Sequence, residues 1–337
     1  MRKLNSRILS ICLCLLCLSA LLSVQLQAAG PIDTGRDVHL TIAYQQDGQP
    51  VSGAPFDLFY VASVDAYGEF TLTGDFAKYP VRLTGLDSDG WRQLAETLAS
   101  YASADRLTPL DSGATNAQGL LTFPNRQSSM KPGLYLAVGQ QFSDGVYVYT
   151  TEPFLAALPI VDTASNEWVY DLTVSPKHME DDAMPPFHDT TERKVLKVWD
   201  DGDDTASRPQ EITVQLLKNG VVYDTVTLSA RNNWRCTWDK LPNYDSNGRR
   251  IEWSVVERDV SGYTVLVSRE GLTFVITNSR TPGEPSEPST PATPGSKPSL
   301  PQTGLLWWPV PLLVLCGLAF VIAGVIFGKR KHHDENR

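Results

Sequence analysis

The sequence predicts a mainly β protein: two β-sandwich modules in tandem, the first with one inserted helix, then a proline-rich stalk and a C-terminal transmembrane helix. Three observations predict it. Short apolar segments of period two recur between about residues 38 and 280, one stretch near Leu94 has helical spacing, and a proline stands at every third position from Pro282 to Pro294. In the first module, residues 29–177, alternation is clear in Val38–Ile42, Phe56–Tyr60 and Leu134–Val138. Trp91, Leu94, Leu98 and Tyr101, with Ala95 and Ala102, follow an Asp87-Ser88-Asp89 start signal and form one apolar stripe to lie against a sheet. Residues 178–190 read as an interdomain linker. His178 and His188 flank three acids there, but a flexible acidic segment has no fixed ligand geometry, and no metal is expected.

The second module, residues 191–280, reads as all β. Strands are predicted at Val195–Trp199, Ile212–Leu217, Val221–Leu228, Trp234–Trp238, Ile251–Glu257, Thr264–Val267 and Leu272–Asn278, with turns at Lys218-Asn219-Gly220 and Asp245-Ser246-Asn247-Gly248. That many short strands in so few residues suggests a sandwich. The proline repeat of residues 281–299 matches the three-residue turn of polyproline II, predicting a stalk of roughly 60 Å at about 3.1 Å per residue.

Both ends carry export signals. Arg2, Lys3 and Arg7 precede an apolar stretch ending near Val24, and Ala28 offers a small residue for signal-peptidase cleavage, so residues 1–28 read as a signal peptide. At the other end, Leu300-Pro301-Gln302-Thr303-Gly304 is followed by an uncharged run from Leu305 to Gly328 and then Lys329-Arg330-Lys331. The run is long enough to span a bilayer, and the basic cluster sets its cytoplasmic side. This order of parts in residues 300–337 resembles the LPxTG sorting signal of Gram-positive wall-anchored proteins. The resemblance implies cleavage by a sortase between Thr303 and Gly304 and covalent attachment to peptidoglycan through Thr303.

Charge and cysteine content exclude several classes. The whole chain has 29 Lys and Arg against 38 Asp and Glu, a net charge of −9, and both removed ends are net basic, so the mature protein is more acidic still. Nucleic acid is therefore not an expected partner. Of five cysteines only Cys236 survives both cleavages, which leaves no internal disulfide. Cys236 shares parity with Trp234 and Trp238 and reads as a small buried apolar residue.

Parity also places three polar residues inside the second module. Lys197 shares a face with Val195 and Trp199, Glu257 with Trp253 and Val255, and Asn278 with Phe274 and Ile276. Burying them separately costs several kcal/mol, whereas together they offer chemistry. Desolvation favours a neutral, nucleophilic lysine and a protonated glutamic acid that can hydrogen-bond the asparagine carboxamide. Attack of the amine on that carboxamide would leave a Lys–Asn amide. Lys194, the neighbouring lysine, points outward by parity.

The motifs Leu196-Lys197-Val198-Trp199-Asp200-Asp201, Arg208-Pro209, Val214–Leu217, Asn233-Trp234, Leu241–Tyr244, Trp253–Glu257 and Ile276-Thr277-Asn278 resemble a collagen-adhesin B-type (Cna B) domain over nearly all of 191–280. The resemblance implies an Ig-like sandwich with an autocatalytic isopeptide bond formed by Lys197, Asn278 and Glu257. Segments Val51–Phe59, Pro132–Leu136 and Trp168–Lys177 resemble strands of Gram-positive pilin domains. Trp168–Lys177 is similar to the pilin motif, with Leu172 and Ser175 in place of its usual valine and tyrosine, and implies Lys177 as acceptor of the next subunit. The first strand offers no lysine, and Val138-Gly139 stands where such domains often place a glutamate, so no second bond is expected in residues 29–177.

The expected function is non-enzymatic: a wall-anchored, pilin-like or adhesin-type display module on a Gram-positive cell surface, without cofactor or metal. Its expected partners are sortase, peptidoglycan, and either other pilin subunits or a host extracellular-matrix ligand. Two arrangements stay open, a singly anchored stalk and a backbone pilin polymerised through Lys177. A surface hydrolase is the alternative from another class, marked by an acid pair in a cleft of the first module. Asp200-Asp201-Gly202-Asp203-Asp204 lacks the spacing of a calcium loop and reads as a solvated acidic turn.

Overall fold

Apolar alternation in the second module becomes strand pairing at nearly every predicted position. The computed structural model describes residues 30–143, 147–182, 190–246, 248–258 and 261–280. The signal peptide, the stalk, the sorting motif Leu300–Gly304 and the apolar run 305–328 lie outside the described residues.

The second domain has strands β1 (Thr190–Asp200), β2 (Glu211–Lys218), β3 (Val221–Ser229), β4 (Arg235–Pro242), β5 (Trp253–Arg258), β6 (Tyr263–Glu270) and β7 (Thr273–Arg280). They form a sandwich of two sheets, ordered β4-β1-β7-β6 and β3-β2-β5. Between them lie Val195, Val214, Leu216, Leu228, Trp253, Val255, Val265 and Ile276, all nearly inaccessible. Each such side chain contributes roughly 1.5–3 kcal/mol of burial. Asn219 and Gly220, at φ 49° and 75°, make the tight β2–β3 turn that the Asn-Gly pair predicts. One pairing is parallel: β1 runs alongside β7, with Lys197 opposite Ile276 and Trp199 opposite Asn278.

In the first module, strands Phe154–Leu158, Gly133–Gly139, Pro55–Val64 and Phe70–Leu72 make one sheet, with Asp111–Ala114 also paired to Pro55–Val64. A second sheet places His39–Ala43 between Asp171–Val174, to which it is parallel, and Leu120–Phe123. Leu40, Ile42, Phe56, Leu58, Phe123 and Tyr135 belong to one buried core. Helix α1 (Ser88–Ala104) begins where Asp87 Oδ1 accepts from Gly90 N at 2.8 Å, and its chain turns away at Arg106, φ 54°. Its Leu94 and Leu98 share a second core with Val61, Leu134 and Leu136. Strand Gly133–Gly139 thus meets apolar side chains on both faces, and Gly133–Ala137 are buried without interruption instead of alternating.

Two further features differ from the sequence reading. His178–Asp182, read as part of a linker, form a strand antiparallel to Tyr147–Thr151, because backbone pairing to an open edge needs no apolar pattern. Helix α1 has a second buried face. The described residues fall in one compact unit ending at Pro282, and within it α1 also packs on the second domain, its core continuing into Leu217 and Val256.

Candidate functional site

Strands β1, β5 and β7 deliver the three polar residues to one place between the sheets. Lys197, Glu257 and Asn278 are 4%, 1% and 1% exposed, whereas Lys194 is exposed and pairs with Glu192 at 2.8 Å, as parity requires. The Lys197 Nζ lies 3.9 Å from Glu257 Oε2, and Asn278 Nδ2 donates to Glu257 Oε1 at 2.8 Å. Lys197 Nζ also donates to the carbonyl oxygens of Val198 at 2.9 Å and Ile276 at 3.3 Å, and sits 4.1 Å from the centre of the Trp199 ring. Among the described residues, Glu257 Oε2 and Asn278 Oδ1 have no hydrogen-bond partner.

Electrostatics favour the uncharged forms. Burial outweighs the Glu257 and Asp201 charges and pushes the Lys197 amine down to about 7, while burial likewise raises Glu257 against the pull of Lys197 and of the Asn278 hydrogen bond. A neutral amine has two N–H donors and one lone pair. Two carbonyls occupy those donors, which frees the lone pair for an electrophile. A half-turn of the Asn278 carboxamide exchanges Nδ2 and Oδ1, so a protonated Glu257 can donate to the carboxamide oxygen across the same 2.8 Å.

An aromatic and charged wall closes the Trp199 side. Trp199 meets Trp234 and Tyr263 edge to face, and Arg208 lies over the ring from its other neighbours. Arg208 grips Asp201 through two hydrogen bonds of 2.8 and 2.6 Å, Asp204 is held by Ser207 and Arg280, and Asp200 accepts from Ser279. The acidic turn is therefore clamped to its own domain by arginines, and no cluster of metal-ligating side chains occurs among the described residues. Cys236 is only half-buried, because it lies on edge strand β4, where the sheet covers one side alone.

Lys177 is exposed and lies in the short connection between Asp171–Val174 and His178–Asp182, with its carbonyl accepting from Glu152 N at 3.2 Å. It does not end the last strand of its module, since His178–Asp182 follows it. The first module has a cavity of about 270 Å³ lined by Phe59, Tyr60, Asp75, Phe76, Leu107 and Leu110 among others, in which Asp75 is the one carboxylate.

The sequence reading did not find the groups that join the two modules. Tyr101 Oη donates to the Glu257 carbonyl at 2.8 Å, Val267 N donates to Thr97 Oγ1 at 2.9 Å, and Arg258 pairs with Asp105 at 2.9 Å. Sequence periodicity offers one sign of them: Tyr101 is the polar-tipped member of the apolar stripe.

Comparison with known proteins agrees with this site's setting. Residues 193–279 match the family model of the Cna protein B-type domain. A collagen adhesin of Staphylococcus aureus is 32% identical over 176 residues, a match covering 52% of this chain and 13% of that protein's length. Among solved structures, one B repeat unit of the collagen-binding surface protein Cna of Staphylococcus aureus is 17% identical, covering 73% of this chain and 99% of that one at a TM-score of 0.26. The full-length major pilin SpaD of Corynebacterium diphtheriae is 12% identical, covering 74% and 99% at 0.27.

Proposed function

We propose that this protein is a non-enzymatic surface module, anchored to a Gram-positive cell wall through Thr303, whose second domain is locked by an amide bond between Lys197 and Asn278. The observation that carries the lock is the convergence of one lysine, one glutamate and one asparagine, all buried, between two apolar sheets. The neutral Lys197 Nζ attacks Asn278 Cγ as Glu257 gives its proton to the carboxamide oxygen. Glu257 then takes a proton from the attacking nitrogen, supplies one to the departing amine, and recovers the oxygen's proton as the carbonyl re-forms, so a C–N bond forms, another breaks, one ammonia leaves and Glu257 ends protonated. The product joins the first and last strands of the domain. A pull entering from the first module and leaving towards the stalk would then run through a covalent bond and bypass the β1–β7 hydrogen bonds.

Intact-mass measurement of the purified mature chain tests this. A mass one ammonia below the sequence value supports the bond, and the full mass on folded protein refutes it. Anchoring is tested by mass spectrometry of wall digests, where the last residue should be Thr303 joined to a peptidoglycan stem. A protein retaining residues 304–337 in a sortase-competent host would refute that part.

A second arrangement, in which the protein is a pilin polymerised through Lys177, is favoured by the exposure of that lysine on a short connection anchored by the Glu152 hydrogen bond. Immunoblots of wall extracts decide between the two. Ladders that vanish in Lys177→Ala mean polymer, and a single wild-type band means a solitary stalk.

A further inference from the structure

Strands β5 and β6 are the end strands of their two sheets, so the sandwich is open on the side that they share. Helix α1 of the first module and the segment before it close that side with polar groups matched to the bare backbone. Val265 N donates to the Pro80 carbonyl at 2.6 Å, Val267 N to Thr97 Oγ1 at 2.9 Å, and the Glu257 carbonyl accepts from Tyr101 Oη at 2.8 Å. Apolar side chains fill the space between them, with Val256 and Leu217 buried in the same core as Leu94, Leu98 and Tyr101. Outside this, Asp105 accepts from Lys78, Tyr79 and Arg258, and Tyr79 stacks on Tyr101 with ring centroids 4.5 Å apart. An edge left open would present those backbone groups to water, and water would reach the strand carrying Glu257.

We infer that α1 completes the bond-forming site of the second domain, with Tyr101 as a positioning residue that fixes strand β5 through the Glu257 carbonyl and keeps the Glu257 carboxyl dry. The inference rests on the Lys197–Asn278 reading and extends it: the first module assists the lock of the second. Tyr101 is suited to the task, because burial first and the neighbouring Glu257 charge second raise its phenol, which favours the protonated, donating form. The Glu257 carboxyl faces Lys197 from β1 and Asn278 from β7, with Tyr101 on its backbone side from α1. The Arg258–Asp105 pair lies outside it, and Arg208–Asp201 lies beyond Lys197.

The test follows bond formation in time, by intact mass, in mature chain made by cell-free synthesis at pH values from about 5 to about 10. Wild type should show a rate that falls in acid as Lys197 is protonated and in alkali as Glu257 ionises. Tyr101→Phe, which keeps the ring and its stack on Tyr79, should slow the reaction about tenfold, the loss of one buried hydrogen bond. Its alkaline limb should move to lower pH, because a wetter Glu257 ionises sooner. Tyr101→Ala should do both to a greater degree. Should Tyr101→Ala fail to fold, Tyr101→Phe decides. Folded variants that form the bond at the wild-type rate, or more slowly with an unmoved pH profile, overturn the inference while leaving the bond intact. A wild-type chain that never loses ammonia overturns the bond itself and the inference with it.

Discussion

In the first module His39–Ala43 lies parallel to Asp171–Val174, and in the second β1 lies parallel to β7, so each joins an early strand to a late one. The inward side chains on the early strands differ. The first module places Leu40 and Ile42 there, both fully buried, and holds its strand by backbone pairing and apolar packing, with an exposed His39–Asp171 pair of 2.6 Å at the rim. The second places Lys197 there, opposite Glu257 and beside Asn278. An apolar strand is held by many weak contacts that can be lost one after another, whereas a buried reactive set concentrates the attachment in one bond. The second solution requires desolvating two ionisable groups, which a sandwich tolerates only if both become neutral or are consumed by reaction.

The largest expected effect is on the lock. Lys197→Ala, Glu257→Ala and Asn278→Ala should each restore the full sequence mass. Closing a loop of about 80 residues is worth roughly 4–5 kcal/mol against an uncrosslinked unfolded chain, and denaturation should show a loss of that order. The whole mature chain should lose one ammonia and not two, and a proteolytic fragment from the first module should have its full mass. A second lost ammonia there would erase the contrast between the modules.

Next in size is the core of the first module. Leu40→Ala should destabilise it by about 2–5 kcal/mol, because nothing covalent offsets the cavity. Differential scanning calorimetry should show its transition falling while the mass of the locked domain is unchanged. An equal fall in both transitions would mean that α1 couples the modules into one cooperative unit.

Acid should act on the junction before it acts on the sandwiches. Burial pushes the Asp105 carboxyl up, but hydrogen bonds from Lys78, Tyr79 and Arg258 outweigh it and hold the group below its ordinary value. A depressed carboxylate stabilises the fold above its unfolded pKa, and that contribution is lost as pH falls through the folded value. Backbone amide exchange at Val265 and Val267 should therefore rise in acid, below the usual aspartate range, and Asp105→Asn should remove that dependence. The smallest effect belongs to Lys194→Ala. Its exposed pair with Glu192 should be worth under about 1 kcal/mol, and bond formation should be untouched. A lost bond in that variant would assign the nucleophile to the wrong lysine.

Sequence periodicity was informative where a strand has one wet face. The seven strands of the second domain and the inward set Lys197, Glu257 and Asn278 follow from period two, since alternation assigns each side chain to a face without knowledge of the partner strand. It failed where both faces are covered, as in Gly133–Ala137, and where pairing needs only backbone, as in His178–Asp182. Cys236 was read as buried from parity, but parity says nothing of whether a strand is central or at an edge.

Local signals along the chain were enough for the sandwich, the hairpin turn at Asn219-Gly220 and the inward set Lys197, Glu257 and Asn278, because propensity, turn chemistry and alternation are local. That Lys197 meets Glu257 across the two sheets, and that α1 is enclosed on two sides, depends on the assembled fold. Tyr101 lies on the apolar stripe of its helix and Thr97 off it, and nothing nearby in the chain marks what either hydroxyl will meet. Their partners, Val267 and Glu257, lie 170 and 156 residues further on. Those partners exist as acceptors and donors only because β5 and β6 end their sheets with unpaired backbone, a property of the assembled sandwich and of no single segment.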